Sequence, residues 1–157
     1  MMRKELFSLV LAGTLAAGSA GATDATIPQT VIDAWNADRT QVFDAADIDL
    51  DDLKWLARPV VVFADSPANP VFQEQLDLLE AGISELVERD VILIVDTDPD
   101  AESALRTKLR PREFMLVLIG KDGGVKLRKP FAWDVRELSR SIDKMPMRQQ
   151  EIRDANG

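Results

Sequence analysis

Five basic side chains in the last third of the chain, Lys121, Lys126, Arg128, Lys129 and Arg148, are of the types and spacing that bind anions. Lys126 and Arg128 alternate along an extended run, so a period of two predicts both on one face, where paired cations suit a carboxylate, a phosphate or an acidic peptide. The plainer reading is a charged sheet edge that deters strand-to-strand aggregation. Asp65 and Asp122 are the nearest carboxylates expected to answer them. Met145 and Met147, either side of Pro146, would contact a partner or fill space under a helix.

Other chemistries have less to work with. The 157 residues include no cysteine and no histidine, which removes thiol redox catalysis and the usual base of a hydrolytic nucleophile. Ser66 would need a lysine or a carboxylate as its base; bonding to local backbone is the simpler role. Asp47, Asp49 and Asp51, and again Asp96, Asp98 and Asp100, have the alternating oxygen spacing that calcium uses. Neither set continues into the glycine and closing glutamate of a calcium loop, and Asp98 and Asp100 are accounted for by helix capping. No catalytic residue, metal or cofactor is assigned.

Arg3 and Lys4 precede an apolar segment from Leu6 to Gly18, and Ala20-Gly21-Ala22 supplies small residues for cleavage. Residues 1–22 are therefore predicted to be a secretory signal peptide cut near Ala22, delivering a periplasmic or secreted chain; the alternative is an apolar helix that stays. The segment is short of the roughly 20 residues that span a bilayer, and no later stretch approaches that length. Residues 23–157 suit one domain, and an exported chain without cysteine relies on packing rather than disulfides.

The charge is unevenly divided. Residues 23–104 carry 4 Lys/Arg against 19 Asp/Glu, and residues 105–157 carry 13 against 7, giving −15 and +6. Either the fold interleaves the halves on a wet surface, or a basic face receives an acidic protein or small anionic ligand. Nucleic acid does not suit an exported chain with a net charge of −8.

The elements that must position these residues follow from periodicity. Residues 23–57 are polar and irregular, with Val31, Ile32 and Trp35 and then Asp51 to Leu56 marking short helical turns, and predict an extension lying across the domain. Val60 to Ala64, Val91 to Val95 and Phe114 to Ile119 are continuous apolar runs, the pattern of strands covered on both faces. Asn69-Pro70 opens an amphipathic helix to about Arg89 with Gly82 inside it, and Asp98-Pro99 opens a shorter one to about Leu109. Lys121-Asp122-Gly123-Gly124 turns the chain into an alternating strand with a wet face. Asp134 and Glu137 have capping-box spacing ahead of a last helix that Pro146 kinks or ends, after which the charged tail continues. The order βαβαββα predicts an α/β domain over residues 58–153, with a central mixed four-stranded sheet and helices on both faces.

LIGKDGGVKLR at Leu118 to Arg128, followed by IDKMPMRQQE at Ile142 to Glu151, resembles the signature of the DUF4174 family, and LKWLARPVVVFAD at Leu53 to Asp65 is similar to that family's approach to its first core strand. The resemblance spans residues 50–153. It implies a thioredoxin-like, peroxiredoxin-like fold, exported bacterial relatives, and no known activity. Redox-active proteins of that fold carry their cysteine just after the first core strand, where a helix N-terminus stabilises the thiolate. Here that position reads Asp65-Ser66-Pro67-Ala68-Asn69-Pro70, and the proline expected beside the third strand is displaced to Pro111. The resemblance therefore implies a redox-type scaffold used for binding or structure, with an enzyme built on Ser66 or the carboxylates as the alternative.

Overall fold

The chain is described by a computed structural model over residues 30–157, so the signal segment expected at residues 1–22 lies outside the described residues. Two predominantly apolar strands, β2 (Arg58–Phe63) and β3 (Val91–Asp96), run side by side in parallel at the centre of a mixed sheet. Every residue of β2 is buried, as the uninterrupted valine run dictates for a strand covered on both faces. β4 (Met115–Ile119) pairs antiparallel with β2, and β5 (Val125–Lys129) pairs antiparallel with β4.

The sheet has five strands rather than four. Val42–Asp44 forms β1, parallel to β3 at the far edge, giving the order β1-β3-β2-β4-β5. Three residues between polar neighbours show little periodicity, yet Phe43 is 6% exposed in the core. Residues expected to lie across the domain thus supply a strand and interior side chains, among them Trp35, Leu50 and Leu53.

Helices cover both faces. Trp35 of α1 (Val31–Ala37), two 3-10 turns (Ala45–Asp47 and Leu50–Leu53) and Leu105 and Leu109 of α4 (Ala104–Leu109) pack against Val61, Phe63, Ile92 and Ile94. Phe72 and Leu79 of α2 (Pro70–Ala81), Leu86 of α3 (Ile83–Val87) and Leu138 and Ile142 of α5 (Val135–Asp143) pack against Val60, Val62, Leu116 and Leu118. The helix expected to run from Pro70 to Arg89 is broken at Gly82, where a Cβ would stand 2.5 Å from Cβ of Val135. The helix expected from Asp98 is likewise split: a 3-10 turn at Pro99–Ala101, then α4 capped by Ser103. Pro146 is the first residue of α6 (Pro146–Asn156), which carries no buried residue. Among the described residues no helix is long and apolar enough to cross a membrane.

Candidate functional site

The most concentrated chemistry lies at one end of the sheet, where β2 and β3 begin and β4 ends. Arg58 opens β2 and is 0% exposed. Its guanidinium forks onto Glu151 of α6, Nη2 donating to Oε1 at 3.0 Å and Nη1 to Oε2 at 3.2 Å, while Nη1 also donates to the Arg89 carbonyl at 2.9 Å. Lys121, one residue past the end of the β4 ladder's neighbour Gly120 and 9% exposed, donates from Nζ to Glu151 Oε1 and to Asp90 Oδ2, both at 2.8 Å. Its carbonyl accepts the Trp55 N–H at 2.7 Å. Trp55 has φ 66° and a side chain 64% exposed, a left-handed backbone that costs a bulky residue about 1–3 kcal/mol.

Around this centre Arg39 reaches Asp90 at 3.0 Å, Arg89 grips Asp143 through two bonds of 2.8 and 2.9 Å, and Arg148 touches both Asp143 and Glu151 at 3.4 Å. Five cations, Arg39, Arg58, Arg89, Lys121 and Arg148, thus face four carboxylates, Asp90, Asp143, Glu151 and, at 3.9 Å from Arg89, the exposed Glu88. Burial would raise the Glu151 carboxyl, but hydrogen bonds and charge from Arg58 and Lys121 prevail and hold it at about 2. The two bonds from Arg89 are the main reason that Asp143 also sits below the usual carboxylate range. One donor is left over: Nε of buried Arg58 has no acceptor.

Two connected hollows open beside the cluster. A cavity of about 160 Å³ is lined by Arg58, Gly120, Lys121 and Asp122 together with Met145 and Met147. It shares Lys126, Met145 and Pro146 with a shallower groove of about 470 Å³, whose other walls include Leu127, Lys129, Trp133 and Lys144. No carboxylate lines the groove. Lys129 Nζ stands 4.5 Å over the Trp133 ring, a cation–π contact that holds an ammonium at the rim without neutralising it.

The five predicted basic residues divide between different jobs. Lys121 and Arg148 enter the buried network, and Lys126 and Lys129 line the groove. Lys126 and Arg128 do not share a face. Ladder partners run Leu118 to Leu127 and Ile119 to Val125, leaving Lys126 as the extra residue of a bulge, so the alternation shifts there. Lys126 turns to Asp122 at 2.9 Å beside Met145, whereas Arg128 donates to the Leu109 carbonyl under α4 on the opposite face. Asp122 is the partner expected for Lys126; Asp65 instead accepts from Asn69 Nδ2 at 2.8 Å. Met145 packs on the α5 side of the core and Met147 is 37% exposed.

At the other end of the sheet, Asn69 caps α2 by accepting from the Val71 and Phe72 N–H groups, and no side chain among the described residues hydrogen-bonds the Ser66 hydroxyl. Buried Asp96 accepts from Ser103 Oγ at 2.5 Å and from Arg106, which also bonds the Ala64 carbonyl and ties β3 and α4 to the end of β2. Asp44 and Asp49 cap the 3-10 turns, Asp98 caps the next one, and Asp51 pairs with Lys54. Among the described residues no three such side chains are arranged to hold a metal ion. No described peptide bond is cis, Arg110–Pro111 included.

Arg58, Arg89, Asp90, Asp143, Glu151, Lys144 and Trp133 escaped the sequence reading. Arg58 and Glu151 do stand inside the quoted blocks, and a charge abutting a run of valines was the one available signal.

The sequence matches the DUF4174 domain of unknown function over residues 49–151, a span holding every member of the network except Arg39. Among solved structures the fold is similar to reduced Plasmodium vivax 2-Cys peroxiredoxin, at 14% identity and TM-score 0.54, covering 66% of this chain and 85% of that one. It is also similar to Plasmodium yoelii Prx1a, modified at its N-terminus to give an artifactual octamer, at 15% identity and TM-score 0.50, covering 66% and 81%. No curated protein matches.

Proposed function

The chain belongs to the DUF4174 family of domains of unknown function, and from that premise we propose that it is a non-catalytic binding module that receives an acidic segment of a protein partner. The carrying observation is the groove: three lysines, Lys126, Lys129 and Lys144, stand around Leu127, Trp133 and Met145, and of the three Lys126 is paired, with Asp122 just outside the lining. Such a surface attracts carboxylates by charge and offers apolar contact at close range, which suits a peptide mixing acidic and aliphatic residues. The peroxiredoxin scaffold brings no thiol chemistry to a chain without cysteine, and the neighbouring Asp65 carboxylate is taken up by Asn69 Nδ2 and by the Ser66 backbone N–H. The reading places the protein outside the cytoplasm, in the periplasm or beyond, supported by the signal-like residues 1–22.

The test is fluorescence polarisation with a labelled peptide of alternating Asp, Glu and Leu, at low and high salt. The wild-type protein is expected to bind with an affinity that falls as salt rises. Reversing Lys126, Lys129 and Lys144 to Glu together is expected to weaken binding at least about tenfold with the fold retained. Equal binding by the wild-type and triple-variant proteins would remove this site.

A further inference from the structure

Resting on that groove reading, we infer that the partner's segment ends in the cavity, its C-terminal carboxylate received by Arg58 and Lys121 and its last side chain, a small aliphatic one, lodged between Met145 and Met147. The cavity and groove share Lys126, Met145 and Pro146, so an extended chain lying in one leads into the other. At about 160 Å³ the cavity has room for about five waters, the scale of a chain end and one short side chain. The wall at Gly120 is close-packed: a Cβ there would stand 2.5 Å from Lys126 Cε and 2.8 Å from Asp122 Oδ1.

The donors left at this end ask for an acceptor. Lys121 Nζ spends two of its three N–H bonds on Asp90 and Glu151, and Arg58 Nε has none satisfied. A carboxylate is acceptor-only and carries the charge that five cations facing four carboxylates leave uncompensated. Asp122 lines the same cavity but is already engaged by Lys126 at 2.9 Å and by the Gly124 N–H at 2.9 Å, so it neutralises the rim lysine and leaves Nε of Arg58 without an acceptor. Methionine in the lining supplies a soft surface that adapts to different terminal side chains. Capture of a terminal carboxylate by converging donors is a recurrent way of recognising a chain end.

The experiment uses the unmodified protein and three fluorescein-labelled peptides of one acidic sequence ending in valine: the free acid, its C-terminal amide, and the free acid lengthened by two glycines. The free acid is expected to bind at least about tenfold more tightly than either of the others, a difference of about 1.4 kcal/mol. Lys144→Glu, which alters the groove alone, is expected to weaken all three while keeping their ratio. Equal affinities for acid and amide would overturn end recognition and leave the groove reading standing. Failure of all three to bind would overturn the groove reading and this inference with it.

Discussion

Glu151 is the residue on which two buried cations converge, and its titration makes the contact measurable. A carboxyl ordinarily near 4.5 that is held at about 2 in the folded state stabilises that state above pH 4.5 and loses this contribution as pH falls toward 2. The difference corresponds to about 3 kcal/mol. Glu151→Gln is therefore expected to cost about that much in urea unfolding at pH 7, and to cost progressively less at pH 4, 3 and 2. A loss that stays constant across that range would mean that the charge on Glu151 is not what matters. Such a contact was not legible in the sequence. Arg58 and Glu151 are 93 positions apart, and no local period links them. Lys126 misled for a different reason: one extra residue in the ladder cancels the alternation from which its face was inferred.

At the scale of elements, continuous apolar runs gave β2, β3 and β4 because strands covered on both faces leave no polar face to confuse the pattern. Helix boundaries set by tertiary contact were less visible. Gly82 ends α2 not through its own weak helix propensity alone but because the first residue of α5, Val135, occupies the space a side chain would need. Gly82→Ala is expected to destabilise by about 1–3 kcal/mol, since steric overlap at 2.5 Å outweighs the roughly 1 kcal/mol that alanine gains in a helix. Denaturant midpoints for Gly82→Ala, Val135→Ala and the double variant check this. A double variant as unstable as the sum of the singles would show that the two positions are independent. β1 stayed hidden for want of length, and only its pairing with β3 and the burial of Phe43 make it a strand.

Across the whole molecule, the acidic first half and basic second half neither separate into two faces nor simply screen each other. Asp90 from the first meets Lys121 from the second, Arg58 and Arg89 from the first meet Glu151 and Asp143 from the second, and Lys126, Lys129 and Lys144 gather at the groove. The buried network closes the end of the sheet opposite the loop that carries Ser66 and the Asn69 cap of α2. α6 is fastened there through Glu151 and Arg148, without a single buried residue of its own. A helix held in this way is expected to be added after the core it closes. Joining positions 58 and 151 early would incur the full entropy of a long loop for a contact that needs both burial and alignment. In stopped-flow mixing, Glu151→Gln is expected to raise the unfolding rate and leave the refolding rate nearly unchanged. Slowed refolding would place the contact in the nucleus instead. Otherwise the charges at the end of the sheet set how long each folded molecule lasts, while the valine strands alone decide how soon it forms.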